Sequence, residues 1–422
     1  MRTFRVSAIG VTCTAALVLP LATPAGAAPD APARDSGLPG STQSLPLDAL
    51  PPPSARATGA PAGERGLAER QVRPFSLAGV VWDDVDAELH GTAQVRVRAT
   101  GTHRWSGWHD LETHNAEHAP DPGSVERAAG AVKGSTAPLW VDPSDGVEVR
   151  VRPEAPGTRG GAPVPLPAGL HLELVDPGEG PQEVTGTAGA DRAAGRESGV
   201  LPALDRAETE AAAGLAPAAR PYIGPRPRIV TRKGWGAEEK LREKGFAYTR
   251  TVKAAFVHHT ATGNTYRCSQ APSVIRGIYR FHVRSNGWRD LGYNFLVDKC
   301  GNVYEGRAGG VTRAVLGAHT LGFNTDTMGI AVLGTFRDSR PSAAAVTAVS
   351  RLTAWKLGLS GADPKGKVRL VSAGGGTYKK GRRVEMNVIS GHRDGFATDC
   401  PGARLYKKLG TARTTAARLQ GR

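Results

Sequence analysis

Three residues of the 422-residue chain have the types and the setting of a metal site: His258, His392 and Cys400. His258 closes a short apolar run in Val257-His258-His259-Thr260. His392 follows Gly391 and is joined to Cys400 by a Gly-containing loop that can fold back. Zinc takes neutral imidazole and thiolate, at ~2.0–2.1 Å and ~2.3 Å. Three protein ligands leave a fourth position for water, which marks a catalytic rather than a closed structural site. Taken one at a time, each residue also has a plain reading. A lone strand histidine is more often packed in a core, and Cys400-Pro401 also reads as a buried thiol.

The start of the chain bears on the cysteines. Arg2 and Arg5 precede an apolar run over residues 6–21, and Ala25-Gly26-Ala27 fits a small-x-small cleavage site, so residues 1–27 read as a signal peptide for general secretion. Cys13 leaves with it, and no other long apolar run suggests an integral membrane segment. Cys268, Cys300 and Cys400 then remain in an oxidising compartment, where two can pair and one must do something else. If Cys268 pairs with Cys300, Cys400 is left over, and closing that loop contributes roughly 3–4 kcal/mol.

A second grouping, His114-Asn-Ala-Glu117-His118, spells the inverted zinc-protease motif, which needs its groups on one helical face. Ala119-Pro120-Asp121-Pro122-Gly123 follows at once and ends any such helix. The surroundings are strand-like, so a protease centred on His114 and His118 is not the expected reading.

The elements that must position these groups fall into two folded parts. Residues 28–70, rich in Ala, Pro, Gly and Ser, read as a disordered leader. Residues 93–98, 147–152 and 170–174 alternate apolar and polar side chains between Gly/Pro/Asp turns, which predicts antiparallel strands and an all-β, sandwich-like accessory domain over 71–178. Trp105 and Trp108 bracket Ser106-Gly107 there, as core packing or as a sugar-stacking pair. Residues 179–220 read as a flexible linker with a marginal helix around 204–215. Over 221–422, strands at 252–260, 291–297, 328–336 and 388–389 alternate with helices at 273–282, the first capped by Ser273, at 342–357 and at 402–419. That predicts an α/β domain with a mixed central sheet covered by helices.

Within this second part the resemblance becomes specific. Residues 229–410 resemble the zinc-dependent N-acetylmuramoyl-L-alanine amidases of the peptidoglycan recognition protein and phage amidase-lysozyme superfamily. The matching stretches, in order, are Val257-His-His-Thr-Ala261, Gly287-Trp-Arg-Asp-Leu-Gly-Tyr-Asn-Phe295, Val303-Tyr-Glu-Gly-Arg307, Gly317-Ala-His-Thr320, Gly329-Ile-Ala-Val332, and Gly391-His392 with Cys400-Pro401. The resemblance implies that His258, His392 and Cys400 hold zinc, that Tyr293 is catalytic, and that Thr398 stands where relatives carry a Lys or Thr near the reacting carbonyl. His319 and Asn324 are candidates for the substrate groove, with a turn or packing role equally open to each, and Cys268 with Cys300 is the candidate disulfide. Members that bind without cleaving typically lose the cysteine ligand, and this chain keeps it. The chain departs from many animal members around Arg307–Leu316, where their Gly-Trp pattern is missing, as is their short-range disulfide.

The expected activity is therefore hydrolysis of the amide between N-acetylmuramic acid and L-alanine of the peptidoglycan stem peptide by a secreted or wall-associated monomer. The alternative is a non-catalytic peptidoglycan-binding protein on the same fold. Net charge is uneven: residues 221–422 carry 35 Lys+Arg against 12 Asp+Glu, and residues 1–220 carry 19 against 27. The basic half suits anionic wall polymers, and no base-reading motif or aromatic-interleaved basic stripe supports a nucleic-acid role. The β domain, tethered by a floppy linker, is expected to fold independently and to add a second weak wall contact.

Overall fold

The computed structural model describes residues 37–50, 63–155, 164–180, 199–214 and 222–422. The expected signal peptide and its Cys13 lie outside the described residues. No helix among the described residues is long and apolar enough to cross a membrane.

The N-terminal part is a mostly β domain built on the alternation read in the sequence. Strand Gly91–Ala99 buries Ala93, Val95 and Val97, and Leu139–Pro153 buries Val147, Val149 and Val151 opposite them in antiparallel register. Strand Arg65–Trp82 joins this pair to His171–Asp176. The expected leader contributes to the sheet. Ser41–Pro46 pairs antiparallel with His171–Asp176, and the Gln43 side chain exchanges two hydrogen bonds with the Arg73 backbone, at 2.9 and 3.0 Å. An edge strand needs few apolar residues and tolerates Pro46 at its end, so its composition resembles that of a loop. Trp105 and Trp108 are only half-buried. The guanidinium of Arg96 lies 5.3 Å from each ring and that of Arg150 lies 3.9 Å from Trp108, so neither indole is core.

The C-terminal part holds a seven-stranded mixed sheet in the order Ile389–Gly391, Ala254–His259, Thr327–Val332, Phe295–Val297, Val303–Glu305, Ile229–Val230, Val200–Leu201. Helices Ala343–Gly358 and Leu409–Gln420 cover one face, packing Leu352, Trp355 and Ala416 onto Val257, Ile330 and Ile389. Ser342 caps the first of these by accepting from Ala345 N–H at 3.0 Å. Helix Ala271–Arg280 lies on the other face. It begins two residues before Ser273, with Gln270 at the N-cap and Pro272 in its first turn. The closing helix is split in two, at Ala403–Tyr406 and Leu409–Gln420. Part of the expected linker is structured as well. Val200–Leu201 is the sheet's last strand, and helix Arg206–Ala212 starts with a reciprocal Asp205–Glu208 capping box.

The two parts are not loosely tethered. Every residue over 75–82 is buried, because alternate side chains serve two cores. Ala78, Val80 and Trp82 face the interior of the β domain. Leu77 and Val81, with Trp140 and Val175, pack among Ile275, Ile278 and Phe281 of the C-terminal part. The approach is close: a Cβ on Gly79 would stand 2.7 Å from the Phe281 ring, and one on Gly277 3.2 Å from Leu77. Polar pairs edge the contact, among them Gln270 to Asp142 at 2.8 Å and Ser285 to Glu173 at 2.9 Å.

Leu77→Ala should therefore cost about 2–5 kcal/mol and lower the melting of both parts together. Calorimetry should show one transition, whereas two transitions with only one displaced would mean that the parts fold independently.

Candidate metal centre

Parallel strands deliver their C-terminal ends to the same side of a sheet, where ligand sites collect. Ala254–His259 pairs in parallel with Ile389–Gly391, Val257 opposite Gly391. The next residue of each strand is a histidine, so His258 and His392 emerge side by side, both 0% exposed. The loop after His392 returns Cys400 to them, with Arg393 N–H donating to the Cys400 carbonyl at 3.0 Å. Cys268 and Cys300 form a disulfide, and Cys400 is the free cysteine among the described residues.

A fourth group enters from the β domain. His118 Nε2 lies 3.3 Å from His258 Nδ1, 3.2 Å from His392 Nδ1 and 3.7 Å from Cys400 Sγ, and Cys400 Sγ lies 3.8 Å from His258 Nδ1. All four ligand atoms fall within 4.8 Å of one another. These spacings cannot all be hydrogen bonds, since Nε2 carries at most one proton and faces three neighbours. The four distances, three from His118 Nε2 and one between Cys400 and His258, lie close to the edges of a tetrahedron around one ion, which for Zn–N and Zn–S lengths are ~3.4 Å between nitrogens and ~3.6 Å between nitrogen and sulfur. The cluster can bind a metal ion.

Its electrostatics agree. Burial, then the neighbouring imidazoles, holds His258 and His392 well below the ordinary histidine range, and burial pushes His118 down to about 3. All three rings are neutral, the form that coordinates metal. The second nitrogen of His258 pairs with Thr320 Oγ1 at 3.4 Å, which leaves Nδ1 free to face the cluster. Burial pushes the Cys400 thiol well up, a cost that a cation in the cluster reverses.

Tyr293 stands beside the cluster, 5% exposed, its ring 5.5 Å from that of His258 and 6.0 Å from that of His118. Its carbonyl accepts from Arg307 N–H at 2.8 Å, which fixes the backbone just before strand Phe295–Val297. Burial raises its phenol far above the usual value, so it remains an O–H donor. Thr398 Oγ1 accepts from Cys400 N–H at 3.1 Å. His319 and Asn324, expected in a groove, are 0% and 1% exposed. Asn324 Oδ1 accepts from the N–H groups of His319 and Thr320, and its Nδ2 donates to Ala119 O at 2.9 Å and Asp121 Oδ1 at 2.7 Å.

His118 is the member of the cluster that sequence reasoning set aside. Its motif does not form a helix: residues 114–118 are a turn, with His114 exposed and His118 buried. The usable signal was a histidine and a glutamate in a long loop, without the partners that lie 140 and 274 residues away.

Imidazoles and a thiolate at the ends of parallel strands, beside a buried tyrosine, on a helix-covered mixed sheet, define a metal-hydrolase type of centre. Residues 248–403 match a family described as N-acetylmuramoyl-L-alanine amidase, and residues 29–170 match one described as Rv3811 N-terminal galactose-binding domain-like. Peptidoglycan-recognition protein SC2 of Drosophila simulans is 31% identical over 185 residues, 43% of this chain and 85% of that protein. Peptidoglycan recognition protein 3 of Homo sapiens is 36% identical over 126 residues, 30% of this chain and 35% of that protein. The solved structure of wild-type Drosophila PGRP-LB aligns at 25% identity over 44% of this chain and 93% of that chain, with a TM-score of 0.35. The chain belongs to the peptidoglycan recognition protein and zinc amidase superfamily.

Dialysed against a divalent transition metal, the protein should retain about one ion per chain. Cys400→Ser should lose that ion to a chelator concentration that leaves the unaltered protein loaded; equal retention in the two would remove Cys400 from the ligand set.

Proposed function

We propose that the protein is a secreted zinc hydrolase that cleaves the amide between N-acetylmuramic acid and the L-alanine of the peptidoglycan stem peptide. The observation that carries this reading is the retained thiol: Cys400 stands with His258 and His392 in one buried cluster inside the region that matches the amidase family. A protein that only bound its ligand would have no use for a thiolate in that place. Zinc is the ion whose ligand preferences suit this donor set.

When bound, zinc supplies Lewis acidity at the scissile carbonyl and a nucleophilic water at neutral pH. The chain's own residues do the rest. His258, His392 and Cys400 would hold the ion from the sheet edge. Tyr293, kept protonated by burial, donates a hydrogen bond to the oxyanion that develops as the carbonyl is attacked. Thr398, next but one to Cys400, adds a second hydroxyl on the same side. The anionic muropeptide and wall polymers meet the +23 surplus of the C-terminal half, which raises their local concentration.

Mass spectrometry of muropeptides after digestion tests the bond: free stem peptides beginning with L-alanine, together with intact sugar chains, are the expected products. Binding without any release, in the unaltered chain and in His118→Ala alike, would instead mark a non-catalytic recognition protein. Tyr293→Phe should lower turnover about 10²–10³-fold while leaving KM nearly unchanged, because the lost bond forms in the transition state. Unaltered turnover would return Tyr293 to a packing role.

A further inference from the structure

The β domain reaches the metal centre through one segment. Between strands His109–Leu111 and Leu139–Pro153 the chain runs for 27 residues, 112–138, with only a one-turn helix and a two-residue strand of its own. Connections this long are uncommon in compact domains and are usually functional. This one is a strap laid over the catalytic sheet edge, with a buried attachment at each stage. Leu321 N–H donates to Glu117 O at 2.8 Å, and Asp121 Oδ1 accepts from Gly322 N–H and from Asn324 Nδ2, both at 2.7 Å. Glu126 takes the Arg307 guanidinium in a two-point ion pair at 2.8 and 3.0 Å, with the two side chains 7% and 3% exposed. Val132 packs with Trp288 and Ala318, and Lys133 N–H donates to Asn286 O at 3.0 Å.

We propose that this strap is an intramolecular latch: His118 occupies the fourth coordination position, the strap fills the groove above it, and the chain folds as a latent hydrolase that acts only once the strap is displaced. The proposal rests on the metal reading given above. Three observations carry it. First, catalytic zinc sites keep a position open, and closed four-ligand sites are structural. Here the fourth vertex is filled by a side chain whose distances to the other three ligands, 3.2–3.7 Å, are those of a bound ligand. Second, the space beside the cluster, between His118, Asn115, Tyr293, Thr398 and Cys400, is about 10 Å³. That is at the lower limit for a single water and far too small for a sugar or a peptide. Third, the strap engages the groups that substrate would need. Asn115 and His118 close the space beside Thr398, while Ala119 and Asp121 occupy the amide of Asn324. A segment that contributed only stability would have no reason to converge on the metal ligands, on Thr398 and on Asn324 together.

Cobalt(II) in place of zinc lets the open position be read without activity, using azide as the probe ligand and the visible spectrum of the ion as the signal. The full-length protein should show no azide-dependent change. His118→Ala should bind azide saturably, and Glu126→Gln, which loosens the strap away from the metal, should bind it more weakly. In parallel, release of stem peptide from a soluble muropeptide should rise about tenfold or more in His118→Ala, since the competent fraction sets the apparent activity. X-ray absorption at the zinc edge of the unaltered protein needs no variant. Three imidazoles and one sulfur support the latch; two imidazoles, one sulfur and a non-imidazole oxygen overturn it. Equal azide binding in all three proteins also overturns it, whatever the muropeptide assay gives. Azide binding confined to the variants, with no muropeptide cleaved by any of them, supports the latch and discards the substrate reading instead. Failure of every protein to take up cobalt or zinc overturns both.

Discussion

The structure depends on one register. Pairing Val257 with Gly391 in parallel brings two chain segments more than 130 residues apart to the same sheet edge and makes the next residue of each a histidine. A slip of one residue would turn one imidazole to the opposite face. The apolar packing under this edge is what prevents the slip: Val257, Ile330 and Ile389 are fully buried beneath Leu352 and Trp355. Thr320 and the Cys400 loop then refine the orientation of groups that the backbone has already placed.

The second constraint is the two-sided burial of residues 75–82. One strand serves the core of the β domain with one set of side chains and the surface of the C-terminal domain with the other. Because that contact involves glycines at the closest points, it has little freedom to slide. The strap is therefore held at a defined distance from the sheet edge, and His118 reaches His258, His392 and Cys400 although it belongs to a different domain.

Much of this was legible in the sequence, and what was not has identifiable causes. The trio His258, His392 and Cys400 could be read because strand ends and a returning glycine loop are local patterns. The strands around residues 95, 149 and 172 could be read because each wets one face. The run 75–82 has no alternation to read, since both of its faces are covered. The edge strand Ser41–Pro46 carries so few apolar residues that its composition resembles that of a loop, and Val200–Leu201 is too short for any period to show, yet both are ordered by pairing. His118 was seen and set aside because its meaning lies in partners 140 to 282 residues away. Asn324 illustrates a related difficulty: the expected groove position is present, but in this structure its amide faces the strap.

Those long separations also impose an order of events during synthesis. The β domain can form its strands as soon as residue 176 is available, yet His118 lacks two of its three partners until His392 and Cys400 have been made and the parallel strand Ile389–Gly391 has docked. Loop closure over such spans is slow compared with local structure. No partly synthesised chain can therefore assemble the cluster, which comes into being only in a late folding step.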